Sequence, residues 1–340
     1  MGTVLIYRLG SLGDTVLCLP CLHRIAERFP DSQRIVITNK PVSTSAPHLS
    51  DVLAGSDLIN GTIDYRVGSR SPLELGRLLL QLRMLKAEAL IYLTAARGES
   101  VVRRDIRFFR ACGITRIIGA PVTSDLQTNR IDPVTGDEEQ ECARLARTIA
   151  ELGSIDLDDR AYWDLRLTNI ERRVADDVLE PFGGRHFVAV NMGGKSVEND
   201  WGEGNWQMLM SDLHSRFSDL QLAFVGAASD ARRAMMLAAQ KPEQSLNLCG
   251  KLKPRETAAV LSRARLFIGH DSGPLHLAAA CNVPCVGIYS NQQKPRKWHP
   301  YGMWHRIFHP SGPISSVPVD RVRNAVVSAL SKEPSRCQQC

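Results

Sequence analysis

The sequence predicts an α/β protein of two domains, each built on a mostly parallel sheet. Three observations carry this reading. Short apolar, β-branched runs alternate with amphipathic stretches along most of the chain, the pattern of parallel strands joined by helical crossovers. At 340 residues the chain exceeds what one ordinary core holds and suits two. Two of the apolar runs also end in a glycine turn that carries a carboxylate and then opens a helical stretch. These are Arg8-Leu9-Gly10-Ser11-Leu12-Gly13-Asp14 after Val4-Leu5-Ile6-Tyr7, and Gly269-His270-Asp271-Ser272-Gly273-Pro274-Leu275-His276 after Leu266-Phe267-Ile268. Such loops belong at the carboxyl ends of parallel strands, the edge where open α/β sheets bind ligands. Far apart in sequence, they fit two sheets facing across a cleft, with a site at the domain interface.

Element by element, strands are expected over 3–7, 34–38, 62–65, 89–93 and 115–119. Helices are expected between them, near 14–28, 72–86, 99–112 and 138–152. The stretch 72–86 shows why: Leu75, Leu78, Leu79, Leu82 and Leu85 recur at three- and four-residue spacing and mark a core face. A polar segment around 153–160 breaks the rhythm and reads as a linker. Alternation restarts with helix 168–180, strand 186–191, helix 204–217, strand 221–225, helices 230–240 and 254–264, strand 266–269, helix 274–281 and strand 284–289. A last helix spans about 318–331.

Hydrophobic residues make up 44% and charged residues 23% of the chain, the balance of a soluble globular protein. No apolar run reaches the roughly 20 residues of a membrane span. The N-terminus enters a strand with no signal-like segment before it, so a cytoplasmic location is expected. Nine cysteines without an export signal read as reduced thiols. Cys337 and Cys340 have metal-ligand spacing at the very end of the chain, but a zinc site needs further ligands, and no metal is expected. The net charge of +6 implies an anionic partner. Arg103-Arg104-Asp105-Ile106-Arg107-Phe108-Phe109-Arg110 has helical spacing; it is either a solvated face with Phe108 or Phe109 turned inward, or a contact for an anionic acceptor or membrane surface. No basic stripe with interleaved aromatics appears, which argues against nucleic acid.

The loops narrow the chemistry. Asp14 falls at the start of a helix, where a carboxylate either caps free backbone N–H groups, worth about 1 kcal/mol, or acts as a general base facing a cleft. Gly10-Ser11-Leu12-Gly13 lacks the G-x-G-x-x-G spacing, and the second strand ends at Thr38-Asn39-Lys40 without an acid for a ribose, which argues against nicotinamide binding. The second loop superficially resembles the Gly-Asp-Ser-Gly of serine proteases, yet it stands between a strand and an apolar helix. It reads better as a diphosphate site, with backbone N–H groups and the helix dipole directed at the anion. Ser272 would add a hydroxyl donor, and His276 either contacts the anion or packs on the helix. Glycines beside Lys195 and Ser196 suggest a second phosphate clamp. Trp201 and Trp206 read as anchors for that loop and its helix. Ser229 and Asp230 suit either a ribose hydroxyl or an N-cap.

Together these segments resemble glycosyltransferase family 9, the bacterial ADP-heptose:lipopolysaccharide heptosyltransferases and their relatives. The likeness is carried by the opening strand with Arg8 to Asp14, by Gly193-Gly194-Lys195-Ser196 through Trp201, by the Gly226 turn, and by Asp271-Ser272-Gly273-Pro274-Leu275-His276-Leu277-Ala278-Ala279-Ala280. It implies a GT-B architecture of two Rossmann-like domains. Residues 1–160 would bind the acceptor, 161–316 the nucleotide sugar; a helix over 317–332 would cross back to the N-terminal domain, followed by a tail, 333–340. It further implies an inverting, metal-independent transfer without a cofactor, ADP-heptose being the co-substrate and an anionic lipopolysaccharide core or related glycan the acceptor, with peripheral contact at the cytosolic membrane face. Asp14 matches the family's general base, within an acceptor loop that includes Ser11 and Gly13. Asp271, Ser272, Gly273, Leu275 and His276 match its donor-phosphate loop, with Lys195 and Ser196 adding contacts. Two departures stand out: Asn199 and Asp200 occupy the place where many members carry a basic residue before the tryptophan, and an acid near the nucleoside would fall around Ala228. A nucleotide-sugar epimerase of the same architecture and a non-catalytic nucleotide-sugar-binding protein are the competing readings.

Overall fold

The computed structural model of the protein describes residues 2–41, 47–194, 197–292 and 294–331. The chain forms two units: Met1–Arg166 with Arg296–Trp298, and Leu167–Pro295 with His299–Cys340.

In the first unit β1 (Thr3–Tyr7), β2 (Gln33–Asn39), β3 (Gly61–Tyr65), β4 (Ala89–Tyr92) and β5 (Ile117–Ile118) make an all-parallel sheet in the order β3-β2-β1-β4-β5. Its central strand, β1, is buried from Val4 to Tyr7, as a strand covered on both faces must be. On one face the helices Pro72–Met84 and Glu99–Ala111 set Leu78, Leu82, Val102 and Phe109 against Leu5, Ile37 and Leu90. Each fully buried aliphatic side chain contributes on the order of 2 kcal/mol. The alternate residues Val4 and Ile6 are equally buried, and the mutually packed helices Leu19–Arg28 and Glu141–Thr148 bury Leu22, Ile25 and Leu145. The single helix expected over 14–28 is two helices, Leu12–Val16 and Leu19–Arg28. The break falls where Pro20 occupies the first turn of the second, a place where its missing N–H costs nothing.

The second unit carries β6 (Phe187–Asn191), β7 (Gln221–Phe224), β8 (Ser245–Asn247), β9 (Leu266–His270), β10 (Cys285–Ile288) and β11 (Arg306–Phe308), parallel throughout in the order β11-β10-β9-β6-β7-β8. The outermost strands β8 and β11 escape sequence reading: each spans three residues that stay partly exposed, so neither carries the apolar run of an interior strand. Trp201 and Trp206, wholly buried with their rings edge to face at 5.2 Å, anchor this core as expected of them. Helix Val319–Ser331 adds Val322, Val326 and Leu330 to the same core. That last helix is counted with the second unit. Arg296–Trp298 is counted with the first unit, where Arg296 pairs with Asp137 and the Lys297 carbonyl accepts the Glu141 N–H.

Among the described residues seven cysteines are free thiols. Cys337 and Cys340 lie outside the described residues, as do Lys195 and Ser196.

Candidate active site

At the carboxyl end of β1 the chain turns through Gly10, whose φ is +143°. A Cβ there would sit 2.7 Å from the Asp14 Cβ, so only glycine allows the close approach. The Gly10 N–H donates to Asn39 Oδ1, tying the turn to the end of β2. Ser11, not Asp14, is the N-cap of helix Leu12–Val16; Asp14 occupies the third helical position, and Gly13 lies buried within the helix. The Asp14 Oδ2 accepts the Ser11 N–H at 2.6 Å and the Ser11 Oγ–H at 2.8 Å, the reciprocal arm of a capping box. Its Oδ1 stands 4.0 Å from Nη2 of Arg8. Arg8 is itself buried; it donates from Nη1 to the Leu93 carbonyl at 2.8 Å and from Nη2 to the Asp14 carbonyl. The capping-box partner of Ser11 and the candidate base are therefore one residue, with one carboxylate oxygen given to Ser11.

Beside this loop is a cluster that sequence reasoning missed. Tyr7 and Tyr65, which end β1 and β3, share a 2.5 Å hydroxyl contact; Arg97 Nη1 donates to Tyr7 at 3.1 Å, and Tyr92, ending β4, donates to Asp105 at 2.9 Å. Burial pushes the Tyr7 and Tyr92 phenols far up, so both remain protonated. A tyrosine closing each of three strands was the available signal.

At the carboxyl edge of the second sheet, Asn191 ends β6 and His270 ends β9, followed by Asp271, Ser272 and helix Gly273–Ala280. The Ser272 hydroxyl donates to Asn191 Oδ1 at 2.7 Å. The hydroxyl is thus held within the loop, beside the N–H groups that open the helix. The Leu275 side chain is fully buried against Gly287, which leaves it no face for a ligand. His276 is buried, its Nε2 3.8 Å from Asp271 Oδ1 and its Nδ1 without a partner among the described residues. His270, fully buried, accepts the Trp201 N–H on Nε2 at 3.1 Å. Burial pushes its pKa down to about 4, so the ring is neutral at pH 7. Trp201 Nε1 in turn donates to the Val317 carbonyl.

A basic side chain does stand beside the residue before Trp201. Asp200 accepts from Arg233 Nη1 at 2.9 Å and from the Gly202 N–H at 2.9 Å. Burial alone would raise the Asp200 carboxyl, but those hydrogen bonds outweigh it and hold the pKa below the usual range. Arg233 Nε and Nη2 are buried without a partner among the described residues. Asp230 accepts the Ala227 N–H at 2.9 Å, and its carboxylate fills the space beside Gly193 and Gly226; burial raises its pKa. It caps the turn before helix Ala231–Ala238, which favours the capping alternative over a ribose contact. Among the described residues no three His, Cys, Asp or Glu side chains gather as metal ligands.

Comparison with known proteins follows the same lines. A family profile described as "Glycosyltransferase family 9 (heptosyltransferase)" matches residues 135–312, just over half of the chain. The curated lipopolysaccharide heptosyltransferase 3 of Escherichia coli is 28% identical over 108 residues; the alignment covers 31% of this chain and 32% of that protein, about a third of the relative's length. Among solved structures, a family 9 glycosyltransferase from Veillonella parvula superposes with a TM-score of 0.73 at 18% identity, covering 97% of both chains. The Escherichia coli heptosyltransferase WaaC with ADP superposes at 0.67 and 16% identity, over 96% of this chain and 99% of that one. At such identities these two likenesses concern the fold, and the fold is that of GT-B heptosyltransferases.

Proposed function

The chain belongs to glycosyltransferase family 9, and from that premise we propose that it moves heptose from ADP-heptose onto a hydroxyl of an anionic lipopolysaccharide core or related cell-surface glycan, with inversion and without a metal. Asp14 takes the acceptor hydroxyl proton as that oxygen bonds to the anomeric carbon. On the opposite face the bond from the anomeric carbon to the diphosphate oxygen breaks, and ADP departs with the electron pair. Charge gathering on the diphosphate is met by the N–H groups opening helix Gly273–Ala280 and by a cation. Lys195 and Arg233 are the candidates for that cation; Arg233 carries two buried nitrogens without a partner among the described residues.

The observation that carries this reading is the setting of Asp14: a carboxylate fixed in a single orientation by Ser11, beside a buried guanidinium, at the ligand-binding edge of a parallel sheet. An ADP-heptose donor is supported by the WaaC likeness, since that neighbour's structure holds ADP. The test is incubation of the purified protein with ADP-heptose and lipopolysaccharide core acceptors, following ADP release and the anomeric configuration of the product. Transfer with inversion, in the presence of a chelator, is expected. Interconversion of the donor sugar without acceptor would mark an epimerase, and donor binding without turnover a binding protein.

A further inference from the structure

We propose that Ser50, His48 and Asp64 form a second reactive site on the first unit, at which Ser50 takes the acyl group of a carboxylic ester. Ser50 Oγ lies 2.6 Å from His48 Nδ1, and His48 Nε2 lies 2.9 Å from Asp64 Oδ1. The Ser50 backbone N–H also donates to Nδ1, at 3.2 Å. A backbone N–H has only a proton to give, so Nδ1 is the bare nitrogen of the ring and the ring proton sits on Nε2, facing the carboxylate. The tautomer is thereby fixed. Nδ1 accepts from Ser50, and Asp64 accepts from Nε2. A hydroxyl set on a base that a carboxylate orients is the arrangement of an activated serine.

The surroundings hold the three groups in place. Leu49, Val52 and Leu53 are buried and anchor the short helix Ser50–Leu53, and the His48 N–H donates to Asp51 Oδ2 at 2.8 Å. Asp64 belongs to β3, opposite Thr38 of β2, so its carboxylate stands on a rigid element. Backbone capping accounts for only part of this geometry. A ring that served the Ser50 N–H alone needs neither the hydroxyl contact nor a carboxylate from a separate strand. The His48 and Asp64 side chains are 17% and 37% exposed, so an ester carried on a larger molecule reaches the site.

The chemistry follows from the order of the groups. Ser50 Oγ bonds to the ester carbonyl carbon while its proton passes to His48 Nδ1, and Asp64 offsets the charge of the imidazolium. The carbonyl re-forms as the bond to the alkoxy oxygen breaks; the departing alcohol takes the proton from Nδ1, and the acyl group stays on Ser50. Water repeats the sequence on that acyl ester, releasing the carboxylic acid and restoring the hydroxyl. Neither Asp14 nor the Asp271–His276 loop takes part, so the inference stands or falls apart from the proposed sugar transfer.

The test treats the full-length chain with an alkyl fluorophosphonate, whose phosphorus traps an activated serine with loss of fluoride, and maps the labelled peptides. Hydrolysis of p-nitrophenyl acetate is followed in parallel. Ser50 should label at least about a hundredfold faster than the exposed Ser100. Ser50→Ala should lose both the adduct and the ester turnover. His48→Gln retains an amide oxygen for the Ser50 N–H but is no base, so labelling should slow at least about a hundredfold. Asp64→Asn no longer offsets the imidazolium charge and should slow it at least about tenfold. All three positions lie at the surface, and circular dichroism checks that each variant folds. The proposal is overturned if Ser50 of the wild type stays unlabelled, if His48→Gln labels as fast as the wild type, or if Ser50→Ala cleaves the ester undiminished.

Discussion

Asp14 Oδ1 lies 4.0 Å from Nη2 of Arg8, a guanidinium that also donates to the carbonyls of Leu93 and of Asp14 itself. One buried cation thereby joins the ends of β1 and β4 to the carboxylate proposed to take the acceptor proton. The residue's structural and chemical duties overlap, and the two have to be separated by experiment.

Asp14→Asn separates them. Its amide oxygen can still accept from the Ser11 N–H, so the cap largely survives, but it cannot take a proton. Turnover should fall by about 10²–10⁴ with donor affinity nearly unchanged, while thermal unfolding stays close to wild type. Asp14→Ala should lose the same turnover and also about 0.5–2 kcal/mol of stability, the cost of a lost cap. Calorimetry beside initial rates gives both readouts; full turnover in Asp14→Asn would remove this residue from the chemistry.

Arg8→Met tests the coupling. It leaves the Leu93 and Asp14 carbonyls without their donor, and each unsatisfied buried group costs about 1–3 kcal/mol. The variant should melt lower and also lose turnover, because the loop carrying Asp14 is no longer held to β4. Arg8→Lys keeps the charge but not the two-armed geometry, so it should recover only part of either. A variant that melts lower yet turns over normally would confine Arg8 to a structural part.

The split in what the sequence revealed follows from the range of the forces. Interior strands such as β1 and β9 are legible because a strand buried on both faces must be an unbroken apolar run. The Gly10 turn is legible because Asp14 packs where a side chain would otherwise stand. The role of Asp14 stayed open because capping and proton abstraction ask for the same residue at the same place. Arg8 with Leu93, Ser272 with Asn191 and Asp200 with Arg233 were not legible at all. Each pair is distant in sequence and meets only once the strand order is fixed. The missing basic residue before Trp201 was noticed; the arginine that pairs with Asp200 from a neighbouring helix was not, since helical arginines are common and only the fold singles out Arg233.

Arg233 supplies a third prediction. If its unpartnered N–H groups receive the donor diphosphate, Arg233→Ala should weaken ADP binding by roughly ten- to a hundredfold, with kcat reduced much less. The ion pair with Asp200 is partly exposed and contributes about 1 kcal/mol or less to stability, so the protein should remain folded. Asp200→Asn keeps an acceptor for the Gly202 N–H and leaves Arg233 in place; it should bind ADP nearly as wild type. Titration calorimetry with ADP distinguishes the two. Equal losses in both variants would mean that the Arg233–Asp200 pair, rather than a phosphate contact, matters.

His270 makes the pH dependence specific. Its folded pKa is pushed down to about 4 by burial, from an ordinary 6.5. Between those values the unfolded chain binds a proton that the folded chain refuses, so stability falls as pH drops from about 6.5 toward 4 and is fully present above that window. The loss attached to this one ring is on the order of 3 kcal/mol. His23 and His214 are lowered by burial too and act in the same direction, so the wild-type profile alone does not isolate it. His270→Gln retains an acceptor for the Trp201 N–H but has nothing to titrate. Its melting temperature should therefore decline less steeply with acid than that of the wild type, by several degrees across the window. Because a protonated ring no longer accepts from Trp201, donor binding should weaken reversibly over the same range and do so less in the variant. Parallel melting profiles for the two proteins would show that His270 is already charged, or already released, in the folded state.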